Sequence, residues 1–171
     1  ERNFLGLGHE FENNFKQRFS DNKSAYSARY TIPNIRNTYI NTTLRYEYGL
    51  EDDYIKGFAV ERGFFSPLTR WAGGYGFEQN FHKEEFKDGT LDDEGNPNMV
   101  SQNFKAEGQN IWAGHAFRIF KGRSEDNRVT NLVTTARYYN LKFIEKPGIQ
   151  YDSINFFSNT QLYLASVGIT T

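Results

Sequence analysis

An all-β fold, an antiparallel up-and-down meander of about eight strands in one domain over residues 1–171, follows from three observations on this sequence. Apolar and polar side chains alternate in run after run between residues 26 and 80. The chain carries 16 Phe and 11 Tyr against a single Met. Its alternating runs are punctuated by Pro, Gly, Asn and Asp, the residues that turns require. A period of two sends successive side chains to opposite faces of a strand, so this chain faces two different environments.

The runs can be taken in order. Residues 3–19 place Leu5, Leu7, Phe11, Phe15 and Phe19 on one side with His9, and Glu10, Glu12, Lys16 and Arg18 on the other. After a polar turn at 20–23, residues 26–32 alternate Tyr26, Ala28, Tyr30 and Ile32 with Ser27, Arg29 and Thr31. This run stops at Pro33, which lacks the N–H a ladder needs. The third, 38–49, sets Leu44, Tyr46 and Tyr48 against Thr43, Arg45 and Glu47, and Glu51, Asp52 and Asp53 then mark a solvated loop. A fourth run, 54–65, ends at Ser66-Pro67. The fifth, 70–80, sets Trp71, Gly73, Tyr75 and Phe77 against Arg70, Ala72, Gly74, Gly76 and Glu78.

Residues 87–109 break the alternation, and their turn-forming composition predicts a long loop of the extracellular type. The pattern resumes over 111–121, turns at 122–126 and continues over 128–143. A second loop surrounds Lys146-Pro147-Gly148, and a last strand occupies 160–171.

Composition decides what the two faces meet. A core of this size leans on Leu, Ile and Val, whereas only 37% of this chain is hydrophobic and Phe and Tyr dominate that fraction. Amphipathic aromatic strands suit a sheet with one apolar and one wet side. No run approaches the ~18 apolar residues of a membrane helix, while barrel strands need only about 9–11 alternating residues. A membrane helix is therefore excluded and a transmembrane β-barrel, of which this meander would form part, is not, while a sheet with one solvated side stays open too. In such a barrel Arg29, Arg45, Glu47, Arg70 and Glu78 face the wet lumen, and Tyr26, Tyr48, Trp71, Tyr75 and Phe77 face lipid or its interface. Short turns at 33–37 and 66–69, against longer connections at 50–53, 87–109 and 145–158, are what the two rims of such a barrel show.

Other classes are disfavoured by the residues present. A net charge of −1 offers no footprint for nucleic acid, and the absence of Cys removes disulfides and thiolate metal sites. His9, His82 and His115 lack metal-ligand spacing. The acidic run Asp92-Asp93-Glu94-Gly95-Asn96 lacks the layout of a calcium loop. Glu84 and Glu85 are adjacent on a strand, so they point to opposite faces and cannot share one bond as acid and base. With no nucleophile elbow or phosphate loop either, neither enzyme, cofactor nor metal is expected. The chain opens on a strand-like pattern with no leader features, as a mature chain or a piece of a longer one would.

Arg2-Asn3-Phe4-Leu5-Gly6-Leu7-Gly8, then Tyr30-Thr31-Ile32-Pro33-Asn34, then residues 57–68 followed by the Gly-rich strand 71–77, together carry a family likeness. In these segments the chain resembles the N-terminal half of the barrel of the Omp85 superfamily, the bacterial outer-membrane assembly and translocation proteins. The resemblance implies an outer-membrane location and a barrel of about sixteen strands, of which about half lie here. It also implies contact with membrane lipid and with client polypeptides or other subunits of an assembly machine, and action in outer-membrane protein insertion or polypeptide translocation. The receiving periplasmic domains of that family have no counterpart in these residues. Under the resemblance the run 3–19, opening at Asn3, is the seam strand, with Gly6 and Gly8 weakening its pairing so that the seam can open. The reading from another class is a soluble β-sandwich or β-barrel module that binds carbohydrate or protein through exposed aromatics.

Overall fold

The computed structural model describes residues 2–4, 8–91, 95–121, 129–148, 151 and 157–170. These form one sheet of nine antiparallel strands, each hydrogen-bonded to its neighbours in sequence. The strands are β1 (Arg2–Phe4), β2 (His9–Arg18), β3 (Lys23–Ile32), β4 (Asn41–Tyr48), β5 (Tyr54–Arg62), β6 (Trp71–Leu91), β7 (Pro97–Lys121), β8 (Val129–Glu145) and β9 (Thr160–Thr170). One short 3-10 turn, Ile35–Asn37, is the only helical element among the described residues. The up-and-down meander is as expected. The sheet is open, since β1 and β9 are its two ends and do not pair with each other.

Three segments depart from the sequence reading. Residues 3–19 are not one strand: the chain reverses at Gly8, whose φ of +74° is open to glycine at little cost, and β1 folds back on β2 with Arg2 opposite Glu10. Asn3 thus lies in a short edge strand and Gly8 in a turn, while Gly6 lies outside the described residues. The strand 54–65 ends at Arg62, and Phe64 and Phe65 belong to the connection that follows. The largest departure is at 87–109, which is not an irregular loop. β6 and β7 run on as a ladder through Phe86 opposite Val100 and Lys87 opposite Met99. The hairpin's outer part carries polar side chains on both faces, so it has no period of two, and its pairing is carried by the backbone. Asp92, Asp93 and Glu94 lie outside the described residues.

Connections alternate between two rims. Among the described residues the first rim carries 19–22 and 49–53 with the far ends of β6 to β9, and the second carries 33–40 and 63–70. The expected contrast of short and long rims fails, because 33–40 and 63–70 are longer than 49–53.

The sheet has no second layer. Among the described residues the buried apolar side chains are Ala72, Phe104 and Ala116. Ladder register fixes the faces. Tyr30, Leu44, Phe58 and Phe77 follow one another along one hydrogen-bonded row, and Arg29, Arg45, Gly57 and Glu78 follow one another along the adjacent row on the opposite face. The first of these faces is the apolar outer one, and the second lines the cleft of the inner one.

Small residues on the inner face let adjacent strands approach. A Cβ on Gly57 would stand 2.9 Å from the Phe77 carbonyl oxygen, so backbone would have to move, whereas at Gly76 the nearest atoms are 3.9 Å away. Gly57→Ala is expected to destabilise the sheet by about 1–3 kcal/mol, and Gly76→Ala to be neutral or slightly stabilising. Thermal loss of β circular dichroism in the two variants measures the difference, and equal midpoints would contradict the close approach at Gly57.

Candidate functional site: a two-faced open sheet

The inner face carries a charged ladder across four strands. The Arg45 Nε donates to Glu47 at 2.8 Å, and its Nη1 donates to Glu78 on β6 at 3.1 Å. Arg29 stands opposite both Glu12 and Arg45 in register, with its guanidinium 3.9 Å from the Glu12 carboxylate. Two arginines directly opposite repel, and the flanking Glu12, Glu47 and Glu78 offset that repulsion. These groups border a cleft of about 630 Å³ lined by Glu10, Glu12, Arg29, Arg45, Glu78 and Tyr139. Gly57, Gly76 and Gly108 also line it, and the Tyr139 hydroxyl lies 3.4 Å from where a Cβ on Gly108 would stand.

Of the residues expected to face the lumen, Arg29, Arg45, Glu47 and Glu78 share this face, and the last three are joined by hydrogen bonds. Arg70 does not join them. It precedes β6 in the connection from β5, is exposed and makes no ion pair among the described residues; its carbonyl accepts the Ala116 N–H at 2.8 Å.

The cleft is bounded at each end by a connection that folds inward, which alternation could not reveal. At the second rim the 63–70 connection lies over β7 and β8. The buried Asn131 donates to the Pro67 carbonyl at 2.7 Å, Thr69 is buried, and the Phe64 ring lies only 3.0 Å from where a Cβ on Gly114 would stand. At the first rim Phe104 is buried, its ring centroid 4.6 Å from that of Phe157 and 6.1 Å from that of Phe86. The sheet's few buried side chains are therefore at its ends, and its middle is a wet cleft.

Glu51, Asp52 and Asp53, expected only to be solvated, join the turns of the first rim. Arg18 donates to Asp21 at 2.9 Å and to Glu51 at 2.7 Å, which ties the β2–β3 turn to the β4–β5 turn. Asp53 accepts from His82 at 2.9 Å, and Asp52 lies 3.6 Å from Lys83. Hydrogen bonds from Arg18 hold the Asp21 carboxyl down at about 2. The Tyr48 hydroxyl, followed by Lys83, holds Asp52 below its ordinary value.

On the outer face stand all five expected aromatics, with Tyr26 opposite Tyr48, Tyr75 opposite Val60, Phe77 opposite Phe58 and Trp71 opposite His115. Trp71 is 63% exposed. The apolar belt runs obliquely to the ladder. One row reads Ala28, Tyr46, Lys56, Gln79, Glu107 and Lys142, apolar on β3 and β4 and polar from β5 onward. On β6 to β9 the belt has moved toward the second rim, to the row of Tyr75, Ile111, Tyr138 and Tyr163 and beyond. Such a drift is what tilted barrel strands produce when a level apolar band crosses them.

The two edges differ in chemistry. β2 carries Glu10, Glu12, Lys16 and Arg18, charges that discourage edge pairing, whereas β9 contains no charged residue and is exposed along its whole length. The histidines lie apart on β2, β6 and β7: His9 beside the Tyr30 hydroxyl, His82 beside Asp53, and His115 against Trp71. Among the described residues no group of three metal-binding side chains comes together, and no helix is long and apolar enough to cross a membrane. Compared with protein-family models, curated proteins and solved structures, the chain matches none.

Two outcomes follow from this geometry. Gly114→Val is expected to drive Phe64 off the inner face, costing about 1–3 kcal/mol and exposing 63–70 to chymotrypsin; unchanged cleavage would show that the connection is not packed there. Asp21 has a folded value lowered from 3.8 to about 2. Its contribution to stability is therefore present above 3.8 and lost as pH falls through about 2. Asp21→Asn should flatten the pH dependence of unfolding in that window, and a slope identical to that of the parent chain would refute the pairing with Arg18.

Proposed function

We propose that this chain is part of an integral bacterial outer-membrane β-barrel of the Omp85 type, acting in outer-membrane protein insertion or polypeptide translocation. The observation that carries the barrel reading is the oblique apolar belt on a sheet with no second layer. Trp71, on an interior strand of that belt, is 63% exposed, and a contiguous exposed apolar surface of this kind suits a lipid surround. A sandwich would bury that face against a second sheet, and the described residues contain one sheet only.

The action on polypeptides rests on the opening segments that resemble the Omp85 barrel and on the open edges. An unpaired strand offers backbone N–H and C=O groups that cannot remain unpaired in lipid, so it captures an incoming strand by β-augmentation. The short β1 pairs with β2 only from His9 to Glu10. In this reading the inner cleft keeps a wet surface beside that seam, and Arg29, Arg45, Glu47 and Glu78 maintain it.

Light scattering with and without detergent tests the barrel reading. The chain is expected to disperse, with its β circular dichroism, only in detergent; a monodisperse monomer in plain buffer would overturn the reading in favour of a soluble binding module. The insertion role has its own test. Vesicles carrying the chain should speed the folding of a urea-denatured small barrel protein relative to empty vesicles, and equal rates would remove that role while leaving the barrel.

A further inference from the structure

On the outer face, where the apolar belt of β5 and β6 gives way to polar side chains toward the first rim, Tyr54 and Phe81 stand opposite each other and stack. Their ring centroids are 5.2 Å apart and their planes 14° from parallel. Three lysines surround the pair. The Lys56 Nζ lies 4.3 Å from the Tyr54 ring centroid and the Lys83 Nζ 5.9 Å from that of Phe81, while Lys105 is the ladder partner of Phe81 on β7. Lys56 and Lys83 each lie two residues from the ring they cover, on the same face of the strand. Lys56 therefore reaches out of the belt toward the rim, its methylenes on apolar surface and its amine in the polar layer.

Of the three amines only Lys83 has an ion-pair partner among the described residues. Lys83 shares Asp52 at 3.6 Å, Glu107 accepts from Gln79 at 2.8 Å, and Glu145 stands opposite Lys105 on the ladder. Lys56 and Lys105 make no ion pair among the described residues. The opposite border of the belt on β6 to β8 carries Trp71, His115, Phe117 and Leu132 instead. Its neighbouring cation, Arg62 on β5, is turned to the Trp71 carbonyl. Among the described residues, an aromatic pair with several amines about it stands at the first-rim border, whereas the stacked Tyr39 and Phe65 at the second rim have the single cation Arg62 over them.

We propose that Tyr54, Phe81, Lys56, Lys83 and Lys105 form a site for the phosphate of an anionic lipid headgroup in the bilayer around the barrel. The proposal rests on the membrane reading above. The stacked rings occupy the level where amphipathic aromatics are best solvated, directly below amines that meet headgroup phosphates. Basic side chains at an anionic surface contribute about 1 kcal/mol each, or about fivefold in binding. Three together amount to about a hundredfold.

The test uses the full chain in phosphatidylcholine vesicles with and without phosphatidylglycerol, reading flotation first and then the lipid that co-purifies on extraction. The parent chain should float with both and retain phosphatidylglycerol in excess of its share. Lys56→Gln, Lys83→Gln and Lys105→Gln combined should float equally, keep β circular dichroism and lose that excess by about a hundredfold. Replacement by Arg at the same positions should keep it, and Lys16→Gln on the inner face should leave it unchanged. Flotation without any preference in the parent chain, or a preference that survives the triple Gln variant, overturns the lipid site and leaves the barrel standing. Failure to float with either vesicle overturns the barrel reading and the site with it.

Discussion

A single antiparallel ladder with nothing stacked on it is the constraint from which the rest of this structure follows. In a protein that closes its core against a second layer, alternation buries one face and wets the other. Here none of the described residues forms a second layer over the apolar face, so its aromatic and aliphatic side chains remain outward and only a few small or terminal positions are buried. The inner face can then afford charge. Arg45 reaches acids on its own strand and on β6, and Gly57, Gly76 and Gly108 line the cleft with it.

Closure at the rims replaces the missing core. The connection at 63–70 brings Phe64, Pro67 and Thr69 onto β7 and β8, and Phe104 packs with Phe86 and Phe157 at the other end. Across the first rim Arg18 and Glu51 tie two consecutive turns together, and Asp53 ties the second of them to His82 on β6. Exposed pairs of this kind are individually weak, yet they act on turns that the ladder has already brought together. The rims therefore fix which residues border the cleft, while the belt between them is left to the surrounding medium.

Much of the candidate site was legible in advance. Arg29, Arg45, Glu47 and Glu78 are separated from their neighbours by strictly alternating partners, and Tyr26, Tyr48, Trp71, Tyr75 and Phe77 occupy the complementary positions. Both sets fell on single faces as read. Arg70 stands apart from them, one residue before β6 and in no ion pair among the described residues. The hairpin through Lys87 and Met99 was read as a loop because water on both sides erases the two-residue period while leaving the backbone bonds intact. Gly8 was read as a weak point within a strand, although its positive φ makes it the reversal between two. The lysines around Tyr54 and Phe81 come from three strands far apart in sequence, and no local pattern could have grouped them.

The sequence by itself determined that this chain has two faces and which side chains go to each, because alternation is built into the covalent geometry of an extended strand. Only the tertiary structure decided how far each ladder runs, which connections fold inward and which charges meet. Backbone pairing leaves no mark on side-chain identity, and contacts between strands depend on a register that several turns set together.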